Sequence, residues 1–148
     1  MGQGYSVHTL PPGAAVIETP ELTDLTFEKI LGGARFLRTI RGRHKQGIIV
    51  VKICGKPGPK ISFKTYADAL RRERRLLAGV PNVLTYQRVL ETATAGYLVR
   101  QYIHSSLYDR VSIRPFLEII EKKWIAFQLL CTLRDCQDRD VYLSLIHI

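Results

Sequence analysis

The chain has 148 residues, of which 46% are hydrophobic and 24% charged, with a formal net charge of +9. Such a composition suits one globular domain with a real core, and no apolar run is long enough to span a bilayer. Three cysteines, Cys54, Cys131 and Cys136, lack CxxC spacing, so reduced thiols are expected, with neither a disulfide framework nor a metal centre.

The basic balance raises nucleic acid as a partner, because clustered Arg and Lys neutralise phosphates and release counterions. Here the cations fall in two separate places, Arg35–Lys45 and Arg71–Arg75, with no Tyr or Phe interleaved as a stacking platform. No nucleic-acid partner is expected. The N-terminus lacks the positive start and apolar core of a secretory signal, which points to a cytosolic start. Its first six residues, MGQGYS, fit the M-G-x-x-x-[ST] pattern for myristoylation of Gly2. A single myristoyl chain binds membranes only marginally, with K of about 10⁴ M⁻¹, so a basic patch or a membrane-bound partner is needed as well. The Gly, Pro and Ala content of Val7–Pro20 gives an irregular lead, and residues 1–24 together read as an acylated flexible segment.

A strand is expected over Leu25–Leu31, with Gly32-Gly33 as the turn after it and Phe36–Arg41 as the returning strand. Gly42–Gly47 then turns into a third strand, Ile48–Cys54. Its β-branched run Ile48, Ile49, Val50, Val51 is too short for a buried helix and suits a central strand covered on both faces. Lys52 lies at the close of that run. Its desolvated stem needs an anion, either a carboxylate from a neighbouring helix or the phosphates of a ligand; otherwise it simply emerges from a sheet edge into water.

Ser62–Ala78 is expected to be helical, with Ser62 or Thr65 as cap, Leu70, Leu76 and Leu77 at helical spacing, and Gly79 with Pro81 as the stop. Glu73 shares the apolar face of that helix, since it lies three residues after Leu70 and four before Leu77. It pairs either with arginines of its own helix or with Lys52 across the sheet. Two more strands follow, Val83–Thr92 and Tyr97–Tyr102, joined by Ala93–Gly96 as a hairpin turn. Ser106–Val111 reads as a short helical turn. Pro115 suits the first position of a long helix running to about Asp140, and its Ile119, Ile120, Trp124, Ile125, Phe127, Leu129, Leu130 and Leu133 leave it apolar on most sides.

In this order the elements resemble the N-lobe of a protein kinase and the start of its C-lobe. Ile49-Val50-Val51-Lys52 is similar to the kinase V-A-I-K strand, and Glu73 falls where the helix after that strand carries its glutamate. The resemblance implies an α+β fold with a five-stranded antiparallel sheet and one helix in residues 25–102, and the first C-lobe helices in 103–142. It also implies that the chain stops before the catalytic loop. Lys52 and Glu73 become an ion pair in the catalytic machinery, and Leu31, Gly32, Gly33, Ala34, Phe36, Thr39 and Lys52 the nucleotide cradle. Gln101, Tyr102 and Ile103 become the hinge to the purine edge. ATP with magnesium is the implied cofactor, its metal ligands lying in segments this chain lacks.

The match narrows further. MGQGYS, LGGARF, LVRQYIHSSLYDR, RPFLEIIEKKW and AFQLL together resemble the myristoylated kinase-like regulatory subunits of class III phosphatidylinositol 3-kinase complexes. That family implies ATP-dependent phosphoryl transfer to protein and partnership with the lipid kinase's catalytic subunit and its complex. Its setting is sorting and autophagy, on the cytoplasmic side of endosomal, Golgi or vacuolar membranes reached through Gly2. A pseudokinase scaffold that anchors the lipid kinase is the alternative. The departures favour weak nucleotide binding: the positions of a G-x-G-x-x-G loop hold Gly32, Ala34 and Leu37, and Leu37 would crowd a closed loop. Arg100 before the hinge either bars a back pocket or makes its own ion pair. The last six residues, Leu143–Ile148, match a translated sequencing-transposon end, so adaptor readthrough is expected and His147 is not proposed as a base.

Overall fold

The computed structural model describes residues 19–58 and 62–142. Gly2, the lead before Thr19 and Leu143–Ile148 lie outside the described residues. The chain divides into two compact units, one comprising the described residues up to Arg71 together with Tyr86–Tyr102, the other comprising Arg72–Thr85 and the described residues from Ile103 on.

The first unit is built on one antiparallel sheet of five strands: β1 (Thr26–Ala34), β2 (Leu37–His44), β3 (Gly47–Gly55), β4 (Arg88–Glu91) and β5 (Ala95–Gln101), in the order β1-β2-β3-β5-β4. Strand β3 is the centre because its residues serve two cores alternately, as a strand with both faces covered must. Ile49, Val51 and Ile53 join Ile40, Tyr97 and Val99 under Leu22 and Leu25, which a 3-10 turn at Pro20–Leu22 lays across that face. Gly42 makes room for this cover: a β-carbon there would stand 2.6 Å from Leu25 Cδ1 and 2.9 Å from the Thr26 carbonyl. On the other face Ala67 and Leu70 of helix α1 (Lys64–Leu76) pack with Phe63 and Tyr86 against Val89 and Leu98.

Several boundaries differ from the sequence reading. The glycine pair is not the first turn: β1 continues through Gly32 and Gly33 to Ala34, and the turn is Arg35-Phe36, because Gly33 and Ala34 still pair with Arg38 and Leu37. Of the expected strand Val83–Thr92, only Arg88–Glu91 enters the sheet. A polar staple closes the outer edge: Lys56 Nζ donates to Glu91 Oε1 at 2.6 Å and to the Thr92 carbonyl at 2.7 Å, and Phe63 N donates to the same carboxylate oxygen.

The second unit carries α2 (Leu107–Ser112) and α3 (Ile119–Gln137). Ser106 caps α2 in a reciprocal box with Asp109, satisfying orphan donors at the helix start. Helix α3 begins four residues beyond Pro115, with Glu118 as its N-cap and the Glu121 carboxylate accepting from Glu118 N. A small core of Leu77, Val80 and Cys136, with Val83 and Val141, holds this unit. Thr132 Oγ1 sits beside that core and donates to the Pro81 and Gln128 carbonyls. The remaining apolar residues of α3 are largely exposed, among them Ile119, Ile120, Trp124 and Leu130.

Candidate nucleotide site

Register decides which side chains share a face. Gly32 stands opposite Thr39, Thr39 opposite Lys52, and Lys52 opposite Leu98, so these residues form one row across β1, β2, β3 and β5. Leu98 belongs to the α1-side core, which places the whole row on that face. Next to it runs a second row, Ala34, Leu37, Cys54 and Gly96. Leu37, exposed, therefore flanks the cradle on Lys52's own side of the sheet.

The row fits a nucleotide phosphate in two respects. A β-carbon at Gly32 would meet nothing within 4 Å, so its backbone is open to an approaching group. Lys52 is half-buried and offers ammonium donors on the same face. Magnesium is another matter: among the described residues no cluster of three His, Cys, Asp or Glu could hold a metal ion.

The expected partners Lys52 and Glu73 fall in different units, the first and the second, and within its own unit Lys52 takes part in no ion pair among the described residues. The Lys52 ammonium instead lies 5.8 Å from the centroid of the Tyr86 ring. Glu73 is exposed and keeps its hydration. Nearby, burial raises the pKa of the Cys54 thiol, a push that the Lys52 charge partly opposes.

The other expected residues, Ile103 apart, scatter along the first unit. Leu31 and Phe36 are exposed, and the Arg35 guanidinium rests 5.1 Å from the Phe36 ring. Gln101 ends β5 opposite Ile49, and Tyr102 N donates to the Ile48 carbonyl at 3.1 Å. Ile103, exposed, falls in the second unit. Arg100 is half-buried opposite Val50; it makes no ion pair among the described residues, and its guanidinium donates to the Gln101 carbonyl at 3.4 Å. The sequence reading missed a cluster beside Tyr102. Arg41 Nε lies 2.7 Å from Glu28 Oε2, Arg43 reaches the other oxygen, and the Arg41 guanidinium stands 5.0 Å from the Tyr102 ring. Hydrogen bonding to Tyr102, with the Glu28 charge, raises the Arg41 pKa further above its ordinary value. Only the β1–β2 register, irregular between Phe27 and Lys29, could have brought Glu28 to these arginines.

Known proteins are similar to this chain in sequence. A serine/threonine-protein kinase VPS15 of Komagataella pastoris, named as putative, is 42% identical over 134 residues, covering 90% of this chain and 10% of that protein. Over most of its length this chain resembles a fragment of VPS15. The Arabidopsis thaliana VPS15 is 40% identical over 84% of the chain and 8% of its own length, and a probable vps15 kinase of Dictyostelium discoideum is 44% identical over 82% and 6%. No family model matches the chain. Its kinase-family identity rests on the VPS15 likeness, and the five-stranded sheet with its helices is that of a partial kinase domain. The chain spans about a tenth or less of the length of these VPS15 relatives.

Proposed function

We propose that this segment is the nucleotide-binding part of a serine/threonine protein kinase that transfers a phosphoryl group from ATP to protein in a chain of the relatives' length. What supports the reading is the row Gly32, Thr39 and Lys52 on one face of the sheet. When bound, ATP with magnesium supplies the transferable phosphoryl group. Gly32 leaves room for a phosphate, the Lys52 ammonium donates to its oxygens, and Gln101, Tyr102 and Ile103 form the hinge toward the purine. Among the described residues no ligand cluster stands ready for the magnesium.

The same reading extends to the setting. The protein acts as a regulatory subunit with the class III phosphatidylinositol 3-kinase catalytic subunit and its complex, in vacuolar and endosomal sorting and autophagy. It is cytoplasmic and peripheral on endosomal, Golgi or vacuolar membranes, held there by a myristoyl group on Gly2 and by its membrane-bound partners. A second reading has its own support: Leu37 stands at a loop-glycine position on the Lys52 side of the sheet, and within its own unit Lys52 takes part in no ion pair among the described residues. Those departures favour a pseudokinase scaffold that anchors the lipid kinase at membranes.

ATP titration of the full-length protein against its Lys52→Ala variant separates the two readings. A loss of roughly tenfold or more in affinity is expected, about the 1.4 kcal/mol that a charge-assisted phosphate contact contributes. Equal affinity in the two proteins leaves the scaffold.

A further inference from the structure

We infer that Tyr86 is the positioning residue for Lys52, holding on the face of its ring the ammonium that meets a nucleotide phosphate; this rests on the nucleotide reading of the site. The ammonium lies 5.8 Å from the ring centroid, inside the range over which a ring quadrupole attracts a cation. Tyr86 is not free to swing away. It packs in the α1-side core with Ala67, Leu70, Val89 and Leu98, and both it and Lys52 are half-buried. A ring fixed by its own core can therefore fix the lysine.

The chemistry differs from that of an ion-paired lysine. A carboxylate partner neutralises the ammonium and takes up its N–H donors, whereas a π face attracts the cation and accepts no formal charge. Lys52 thus keeps its whole charge and its donors for phosphate oxygens. The quadrupole is what matters, so phenylalanine can replace Tyr86 and an aliphatic residue cannot. Tyr86 itself touches no phosphate in this scheme and acts only through Lys52.

The full-length protein tests this with Tyr86→Phe, Tyr86→Leu and Lys52→Ala. Each is titrated with Mg-ATP, and the lysines are reductively methylated with ¹³C so that the Lys52 methyl signal, assigned by its loss in Lys52→Arg, reports the ring current of Tyr86. Tyr86→Phe should keep the displaced signal and the wild-type affinity. Tyr86→Leu should abolish the displacement and weaken Mg-ATP binding about fivefold. Should Tyr86→Leu not fold, Tyr86→Met fills the same core with a flexible apolar side chain and carries the same expectation. The inference is overturned if the aliphatic variant leaves the Lys52 signal in place, or if it binds Mg-ATP as the wild type does while Lys52→Ala does not. Binding unaffected by Lys52→Ala would instead overturn the nucleotide reading, and the inference with it, whatever the methyl signal shows.

Discussion

Strand β3 and helix α3 are both rich in large apolar residues, and they end up in opposite surroundings. Val51 is fully buried, as is Tyr97 on the neighbouring strand β5, whereas Trp124 is 59% exposed and Leu130 67%. Composition does not explain this. A strand sends successive side chains to opposite faces, so short covers suffice: Leu22 and Leu25 on one side, and one turn or two of α1 on the other. Helix α3 spreads its apolar residues around the whole barrel, and only its C-terminal half, at Thr132 and Cys136, meets a buried seam. Burial follows a facing partner, and hydrophobicity alone does not supply one.

The largest expected effect sets these two regions directly against each other. Tyr97→Ala removes a ring from the middle of the sheet core and should cost about 3 to 5 kcal/mol, the range for large aromatic truncations in packed interiors. Trp124→Ala removes a ring that already faces water and should change stability by no more than about 0.5 kcal/mol. Urea midpoints of the two variants measure the contrast. Comparable losses would mean that α3 is covered in solution and that the comparison is wrong.

A smaller contrast lies inside the sheet. Gly42→Ala drives a β-carbon into Leu25 and the Thr26 carbonyl, and the backbone atom cannot yield as a side chain can; a loss of about 1 to 3 kcal/mol is expected. Gly32→Ala meets open space and should leave the thermal midpoint where it was. The two glycines are both strand residues, yet one serves packing and the other leaves a face open. A destabilised Gly32→Ala would show that this face is covered after all.

How much of this was legible beforehand depended on range along the chain. The β-branched run of β3, the helix between Ser62 and Gly79, the hairpin before β5 and the α+β order could all be seen, because each is set by neighbouring residues. Boundaries fixed by pairing could not: glycines look like a turn, but the ladder continues through Gly32 and Gly33. Likewise Pro115 is a good helix starter by type, while the cap that forms is the box of Glu118 and Glu121. The Lys52 position was visible in the strand motif, but its company was not. Tyr86 lies 34 positions along the chain in an irregular stretch read as strand, and no local spacing marks it as the lysine's neighbour.

Capping gives the next effect in size, on the helical side of the comparison. Ser106→Ala removes the side chain that accepts from Asp109 N and should cost about 1 kcal/mol of local helix stability in α2. Amide exchange in Leu107–Ser112 should quicken while the amides of β3 and β5 stay protected. Faster exchange throughout would mean that the box supports more than its own helix. The Asp109 carboxylate has its pKa lowered by hydrogen bonds from Ser106, so acidification through that lowered value should loosen the same turn.

Proton linkage at His44 is the smallest expected effect and again separates sheet from helix. The ring is buried near the end of β2, and Nδ1 accepts a bond from Gln46 N at 3.3 Å, which requires the neutral form at that nitrogen. Burial lowers its pKa from 6.5, and the charges of Arg88 on β4 and Lys45 in the turn lower it further, against the pull of Asp24. The unfolded chain therefore takes up the proton more readily than the folded one. The resulting stability is present above the ordinary value and is lost as pH falls through the lowered value. Melting midpoints should thus drop on acidification below about 6.5 in the wild type and less steeply in His44→Gln. Exchange in β2 and β3 should quicken over that window, while α3, which carries no histidine, keeps its rates. Equal slopes for the two proteins would remove His44 as the origin of the acid sensitivity and leave it to other groups; among the carboxylates, Glu91 has its pKa lowered by hydrogen bonds from Lys56 and the Phe63 amide.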